Sequence, residues 1–129
     1  MDFLVYGNLP SKANQYEISI KKGKPSFRKK DHIVAYERAF LSQIWPEFDF
    51  TFCDASELPD DLMIRGEFEL RAHVYYKNSV HDLDNAFKML LDCCEMAKLI
   101  ENDKYCTHIE AWKHVDRMKP RVEFTLRKL

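Results

Sequence analysis

The run Asp82-Leu83-Asp84-Asn85-Ala86-Phe87-Lys88 places two carboxylates two residues apart and an amine four residues after the second. Where the chain is extended, side chains at that spacing project to the same side, within reach of one ion. A third acid, Asp103, follows 19 residues after Asp84, which leaves room for a helix of about four turns and a return. Three carboxylates without a paired Cys/His set suit a hard ion, Mg²⁺ or Mn²⁺, better than zinc. Clustered, they would repel one another without a cation. With one, the chemistry they point to is phosphodiester hydrolysis, in which the ion activates water and stabilises the leaving oxygen. Lys88, one helical turn past Asp84, would offer its charge to a phosphate in the transition state.

Each of these residues also has a plainer reading. A DxD before a helix supplies an N-cap and a charge at the positive end of the dipole. Lys88 spaced i,i+4 from both Asp84 and Asp92 forms a salt bridge worth about 0.2–0.5 kcal/mol. Asp103 after Asn102 is an ordinary loop residue, and spacing alone does not bring it to the pair. His81, His108 and His114 have no partner spacing that makes a triad. Cys53, Cys93, Cys94 and Cys106 lack a CxxC pair, so reduced, mostly buried thiols are expected, with a zinc module built on Cys53, Cys93 or Cys106 and His108 as the weaker alternative.

The elements that must position these groups are read from periodicity. Gly66–Lys77 alternates strictly, with Phe68, Leu70, Ala72, Val74 and Tyr76 on the inward face. The helix beginning near Asp84 carries Phe87, Leu90, Leu91 and Cys94 on one side. Ala86, Met89, Cys93 and Met96 widen that arc, as expected of a helix covered on two sides, by sheet and helix or by a partner subunit. Upstream, Phe3–Tyr6 predicts a strand. Tyr16–Ile20 and Ser26–Arg28 predict a basic hairpin turning at Lys22-Gly23-Lys24-Pro25. A helix is predicted over Asp31–Trp45, with Asp31 as N-cap and Ile33, Tyr36, Phe40, Leu41 and Ile44 inward. Downstream, Cys106–Val115 and Arg121–Arg127 predict two strands joined as a hairpin through Asp116–Pro120. Phe48, Phe50 and Phe52 alternate within an otherwise unpatterned, acidic stretch, 46–65.

Composition bounds the rest. The 129 residues, 46% apolar with nine Phe, six Tyr and two Trp, suit one α/β domain over 1–129, with a mixed sheet and two main helices. No window is apolar enough for a membrane helix, and the N-terminus has no basic flank or long apolar stretch of a signal peptide, so a cytoplasmic protein is expected. The net charge of −1 hides a strong polarity. Residues 18–30 hold six bases and no acid, 46–70 hold eight acids against Arg65, and 113–128 hold six bases and two acids. Such a chain can present a cationic face to nucleic acid.

Asp82-Leu83-Asp84-Asn85-x-x-Lys88-x-x-x-Asp92, with Asp103 before a strand, resembles the RusA family of Holliday-junction resolvases. Pro10-Ser11-x-x-Asn14, the basic hairpin and the helix with Tyr36 near its start are similar to that family's opening. The resemblance covers most of the chain except 46–65, which looks like an insertion. It implies a Mg²⁺-dependent endodeoxyribonuclease, often carried by phages or prophages, that resolves four-way junctions in DNA recombination and repair. Asp82, Asp84 and Asp103 would be metal ligands and catalytic, Lys88 the catalytic lysine, and Asn85 and Asp92 supporting. Asn14, Lys21, Lys22, Lys24, Arg28, Lys29 and Lys30 would meet DNA. The resemblance further implies an intertwined or closely packed homodimer with one site per subunit. Two departures stand out: the family's doubled acid is Asn102-Asp103 here, and the glycine common before it is replaced within Lys98-Leu99-Ile100. A non-catalytic junction-binding relative is therefore the alternative.

Overall fold

The structure is a computed structural model that describes residues 1–11 and 16–129. Its elements run β1 (Asp2–Tyr6), β2 (Tyr16–Lys21), β3 (Lys24–Lys29), α1 (Asp31–Ile44), β4 (Phe68–Tyr76), α2 (Asp84–Met96), β5 (Cys106–Val115) and β6 (Arg121–Lys128), with short 3-10 turns at Ala55–Glu57 and Asp103–Tyr105. Four strands form a mixed sheet in the order β1-β6-β4-β5, and β2 and β3 form a separate ribbon. The mixed α/β architecture with two helices agrees with the sequence reading. No helix among the described residues is long and apolar enough to cross a membrane.

β4 organises the sheet because it pairs on both sides: parallel to β5, with α2 as the crossover, and antiparallel to β6. Its alternation is borne out, since Phe68, Leu70, Ala72, Val74 and Tyr76 are all buried. They pack with Val122, Phe124 and Leu126 of β6 and the inner faces of both helices. Phe40 of α1 stacks on Phe124 at 6.0 Å, and Phe3 of β1 stacks on the same ring at 5.1 Å. The broad apolar arc of α2 is covered largely within the chain, with Ala86, Met89, Leu90, Leu91, Cys93 and Cys94 all buried.

Two local expectations need correction. β5 and β6 are not a hairpin, because β4 lies between them. The 116–120 connection instead passes the end of β4, where the Asp116 amide donates to the Tyr76 carbonyl at 2.8 Å. Its turn chemistry is real but local: Asp116 Oδ1 accepts from the Met118 and Lys119 amides, and Oδ2 from Arg121. Asp31 is the first residue of α1, while Lys30 occupies the N-cap without a side-chain bond. Phe48, Phe50 and Phe52 form no strand. The first two pack against the core, and Phe52 is exposed.

The 46–65 stretch has a definite structural role, closing the C-terminal end of α2. That helix ends in a Schellman arrangement: the Lys98 amide donates to the Glu95 carbonyl at 3.1 Å and the Leu99 amide to Cys94 at 2.9 Å. Lys98 takes the left-handed conformation, φ 57°, that a glycine would adopt without strain. Its ammonium donates to the Ser56 and Leu58 carbonyls at 2.8 and 2.7 Å, tying the stretch to the helix end. Trp45 Nε1 donates to the Ala97 carbonyl at 2.8 Å, and Ile64 bridges in parallel to Ile100.

Candidate active site

Between β4 and α2 the chain crosses from Lys77 to Leu83 along a connection held from outside. The Lys77 amide donates to Asn8 Oδ1 at 2.9 Å, and Lys113 Nζ donates to the Ser79 carbonyl at 3.0 Å. Leu83 occupies the N-cap of α2 but is already helical, at φ −63° and ψ −38°, and no side chain caps the helix. Neither Asp82 nor Asp84 therefore fills the capping role, and both are exposed. The capping part of the plainer reading falls, while Asp84, in the first turn of α2, still stands at the positive end of the helix dipole.

The extended geometry expected across Asp82–Asp84 is not what brings them together, since Leu83 has turned into the helix. Both carboxylates nonetheless bear on one group, the Tyr76 hydroxyl. Burial first, then the negative charges of Asp82 and Asp84, push that phenol up to about 12. His81 folds over the Tyr76 ring, with centroids 4.6 Å apart and planes at 13°. Its Nε2 is buried and has no hydrogen-bond partner among the described residues. Tyr36 lies behind, against Gly7, where a Cβ would stand 3.4 Å from the ring and φ is +122°. Its buried hydroxyl also lacks a partner among the described residues. Burial, with the Cys93 and Cys94 thiols and Tyr76 nearby, raises its pKa. Sequence periodicity identified Tyr76 and Tyr36 as core positions but not as the floor beneath two carboxylates.

Lys88 points down its helix. Its ammonium lies 3.4 Å from Asp92 Oδ1 and hydrogen-bonds Asp103 Oδ2. The Asp103 bond is the main reason its pKa is raised. Asp103 begins the 3-10 turn after α2, and its amide donates to Glu95 Oε1 at 3.1 Å. Asn102, where the family doubles its acid, caps that turn by accepting from the Lys104 amide at 2.9 Å. The amide side chain thus does a job that a carboxylate could also do. Asn85 is half-buried in the first turn of α2.

The pair of uncapped carboxylates fits a hard divalent cation by donor type and shared placement. The third acid is differently engaged. Among the described residues no three His, Cys, Asp or Glu side chains stand close enough to share one ion, and Asp103 is held by Lys88. The same observation leaves the zinc module without a ligand cluster. None of the four cysteines forms a disulfide among the described residues, and Cys93 and Cys94 are buried.

Of the residues expected to meet DNA, Lys22, Lys24 and Arg28 are exposed on the β2–β3 ribbon. Lys29 pairs with Glu37 at 2.7 Å and Arg28 with Asp31 at 3.7 Å, which ties the ribbon's base to α1. Lys30 is half-exposed. Asn14 and the side chain of Lys21 lie outside the described residues. Three of the six bases in the second cationic run are engaged within the fold, Lys113 on Ser79, Arg121 on Asp116 and Arg127 on Glu69, while Arg117, Lys119 and Lys128 are exposed.

The family model of endodeoxyribonuclease RusA matches residues 56–127, more than half of the chain. The chain belongs to the RusA family. That span takes in β4, α2, β5 and nearly all of β6, and with them Asp82, Asp84, Lys88 and Asp103. RusA proteins are Holliday-junction resolvases, nucleases that act on branched DNA, and as a family they generally depend on divalent metals. No curated protein matches the chain.

Proposed function

We propose that this RusA-family chain is a Mg²⁺-dependent, structure-selective endodeoxyribonuclease that resolves four-way DNA junctions, with Mn²⁺ as a substitute ion. The observation that carries the reading is the Asp82–Asp84 pair at the start of α2, exposed and uncapped, with its second member one helical turn before Lys88. Asp82 and Asp84 would hold the ion, which when bound supplies an activated water and neutralises charge at the phosphate. Lys88, kept protonated by Asp103, is placed to donate to a phosphate oxygen. Asp92 and Asp103 orient it, and Asn85 supports the start of the helix. Asp103, paired with Lys88, would join Asp82 and Asp84 as a third ligand only if that ion pair opened. Lys22, Lys24, Arg28 and Lys30, with Asn14, Lys21 and Lys29, would contact phosphates. Two copies would nick opposite strands symmetrically.

The test is nicking of a synthetic four-way junction with Mg²⁺ and with chelator, beside a linear duplex of the same sequence. Metal-dependent paired nicks in the junction alone are expected. A second reading, a junction binder without turnover, draws on the fact that the three acids do not share one centre among the described residues. It predicts a gel shift with no nicking in either Mg²⁺ or Mn²⁺.

A further inference from the structure

The β2–β3 ribbon pairs only with itself, yet it carries large apolar side chains in water. The two central turn residues, Lys22 and Gly23, both have positive φ, 51° and 77°. This is the two-residue turn whose twist matches the flanking strands and fixes their register. In that register Ile18 faces Phe27 and Ile20 faces Pro25, so these four lie on one side. Ile18 is 69% exposed, Ile20 73% and Phe27 79%. Isolated two-stranded ribbons are marginal in water, and a concentrated apolar face on one marks a binding surface. Charge indicates the occupant. Lys22 sits at the tip, and Lys24 and Arg28, at the alternate positions, project from the opposite side of the same narrow ribbon. Lys22, Lys24 and Lys30 make no ion pair among the described residues. Seated in a groove, such a ribbon would meet bases on its apolar side and backbone phosphates on its cationic one, so a polyanion with accessible base faces matches both sides.

We propose that the apolar face of this ribbon, Ile18, Ile20 and Phe27, is the element that reads the branch point, covering base faces left unstacked where the strands exchange. The inference rests on the branched-DNA reading above and adds the residues that would separate a junction from a duplex. A two-stranded ribbon fits a DNA groove, and Phe and Ile are side chains that wedge between base steps. Inside a duplex that insertion must first break stacking. At a branch point the loss is smallest, so the same contact favours junction over duplex. The free lysines add affinity for both substrates without distinguishing them.

The experiment uses the full chain in chelator, so that binding is read whether or not the protein cuts. The probe is an immobile four-way junction carrying 2-aminopurine at the branch, with a duplex carrying it mid-helix. Wild type should raise the junction fluorescence and bind the junction more tightly than the duplex. Ile18→Thr/Ile20→Thr/Phe27→Thr, which keeps strand-forming residues at exposed positions, should lose the fluorescence change and about 5- to 100-fold of the junction preference. Phe27→Trp should keep both. Lys22→Gln/Lys24→Gln should weaken both substrates alike and reduce the salt slope by about 0.9 per lost phosphate contact. A triple variant with unchanged fluorescence and unchanged preference would overturn the proposal. So would a triple variant whose main change is dissociation of a dimer, since a second copy would then be the occupant. Wild type that binds and signals but never cuts in Mg²⁺ would overturn the nuclease reading and leave this one standing.

Discussion

At its C-terminal end α2 is tied down by Lys98 and Trp45, whereas at its N-terminal end two carboxylates and a buried imidazole nitrogen have no hydrogen-bond partner among the described residues. The first end has Lys98 and Trp45 donating to carbonyls at 2.7 to 2.8 Å and a completed Schellman pair. The second has no side-chain cap, two exposed aspartates and the unpartnered Nε2 of His81. The fold could satisfy a helix end, and at one end it did. The other leaves such groups open, which is what the proposed ion site requires. Lys88 lies between the two, half-exposed and turned toward the satisfied half.

The comparison can be broken by showing that the two ends respond alike. The largest effect is expected at Lys88. Lys88→Met should reduce junction nicking by at least about 100-fold. Its exposed ion pairs contribute little to stability, so unfolding should shift by no more than about 0.5 kcal/mol. Equal losses of rate and stability would make Lys88 a structural residue. At the opposite end the pattern should reverse. Trp45→Phe leaves the buried Ala97 carbonyl without its donor and should cost about 1–3 kcal/mol by denaturant unfolding, with nicking little changed. Smaller again is the contrast at Lys98. Lys98→Gly and Lys98→Met both lose the bonds to Ser56 and Leu58, but only glycine relieves the left-handed backbone, so Met should be the less stable by about 1 kcal/mol.

The smallest signal is a titration. Tyr76 is neutral in the folded protein up to about 12, above the ordinary phenol value. Its contribution to stability is therefore complete below about pH 10 and is lost as pH rises from there through about 12. Phenolate absorbance in Asp82→Asn/Asp84→Asn should show the Tyr76 midpoint moving down toward, but not reaching, the ordinary value, because burial is the larger cause. An unmoved midpoint would place the two carboxylates away from the phenol.

What was legible in the sequence follows from which physics is periodic. The alternation in Phe68–Tyr76 and the 3.6-residue spacing in α1 and α2 fixed element type and inward faces, because burial imposes those periods along a single element. The order of strands in the sheet does not depend on such a period. Asp116–Pro120 has turn residues suited to a hairpin, yet it joins strands on opposite sides of β4. The 46–65 stretch was unreadable for a related reason. Its apolar residues fill the end of a helix one at a time, so they follow no repeat. Lys98 hid the helix stop by taking a glycine conformation with a long side chain that compensates through two carbonyls. At the candidate site, residue types and spacing, joined to the family resemblance, grouped Asp82, Asp84 and Lys88 as an expectation. The partner of Lys88 could not be chosen between Asp84 and Asp92 from spacing, because each is one turn away. The structure pairs it with Asp92 and with Asp103.

The central claim is that the Asp82–Asp84 pair holds the divalent ion used to cut branched DNA. It is tested most directly by titrating Mn²⁺ into wild type, Asp84→Asn and Asp103→Asn and reading bound ion by electron paramagnetic resonance, with junction nicking measured on the same samples. Asp84→Asn is expected to lose both the bound ion and nicking. Asp103→Asn is expected still to bind Mn²⁺ in the absence of DNA, because Asp103 is paired with Lys88 and shares no three-ligand cluster among the described residues. Asp84→Asn that binds Mn²⁺ and nicks the junction as wild type does would contradict the claim.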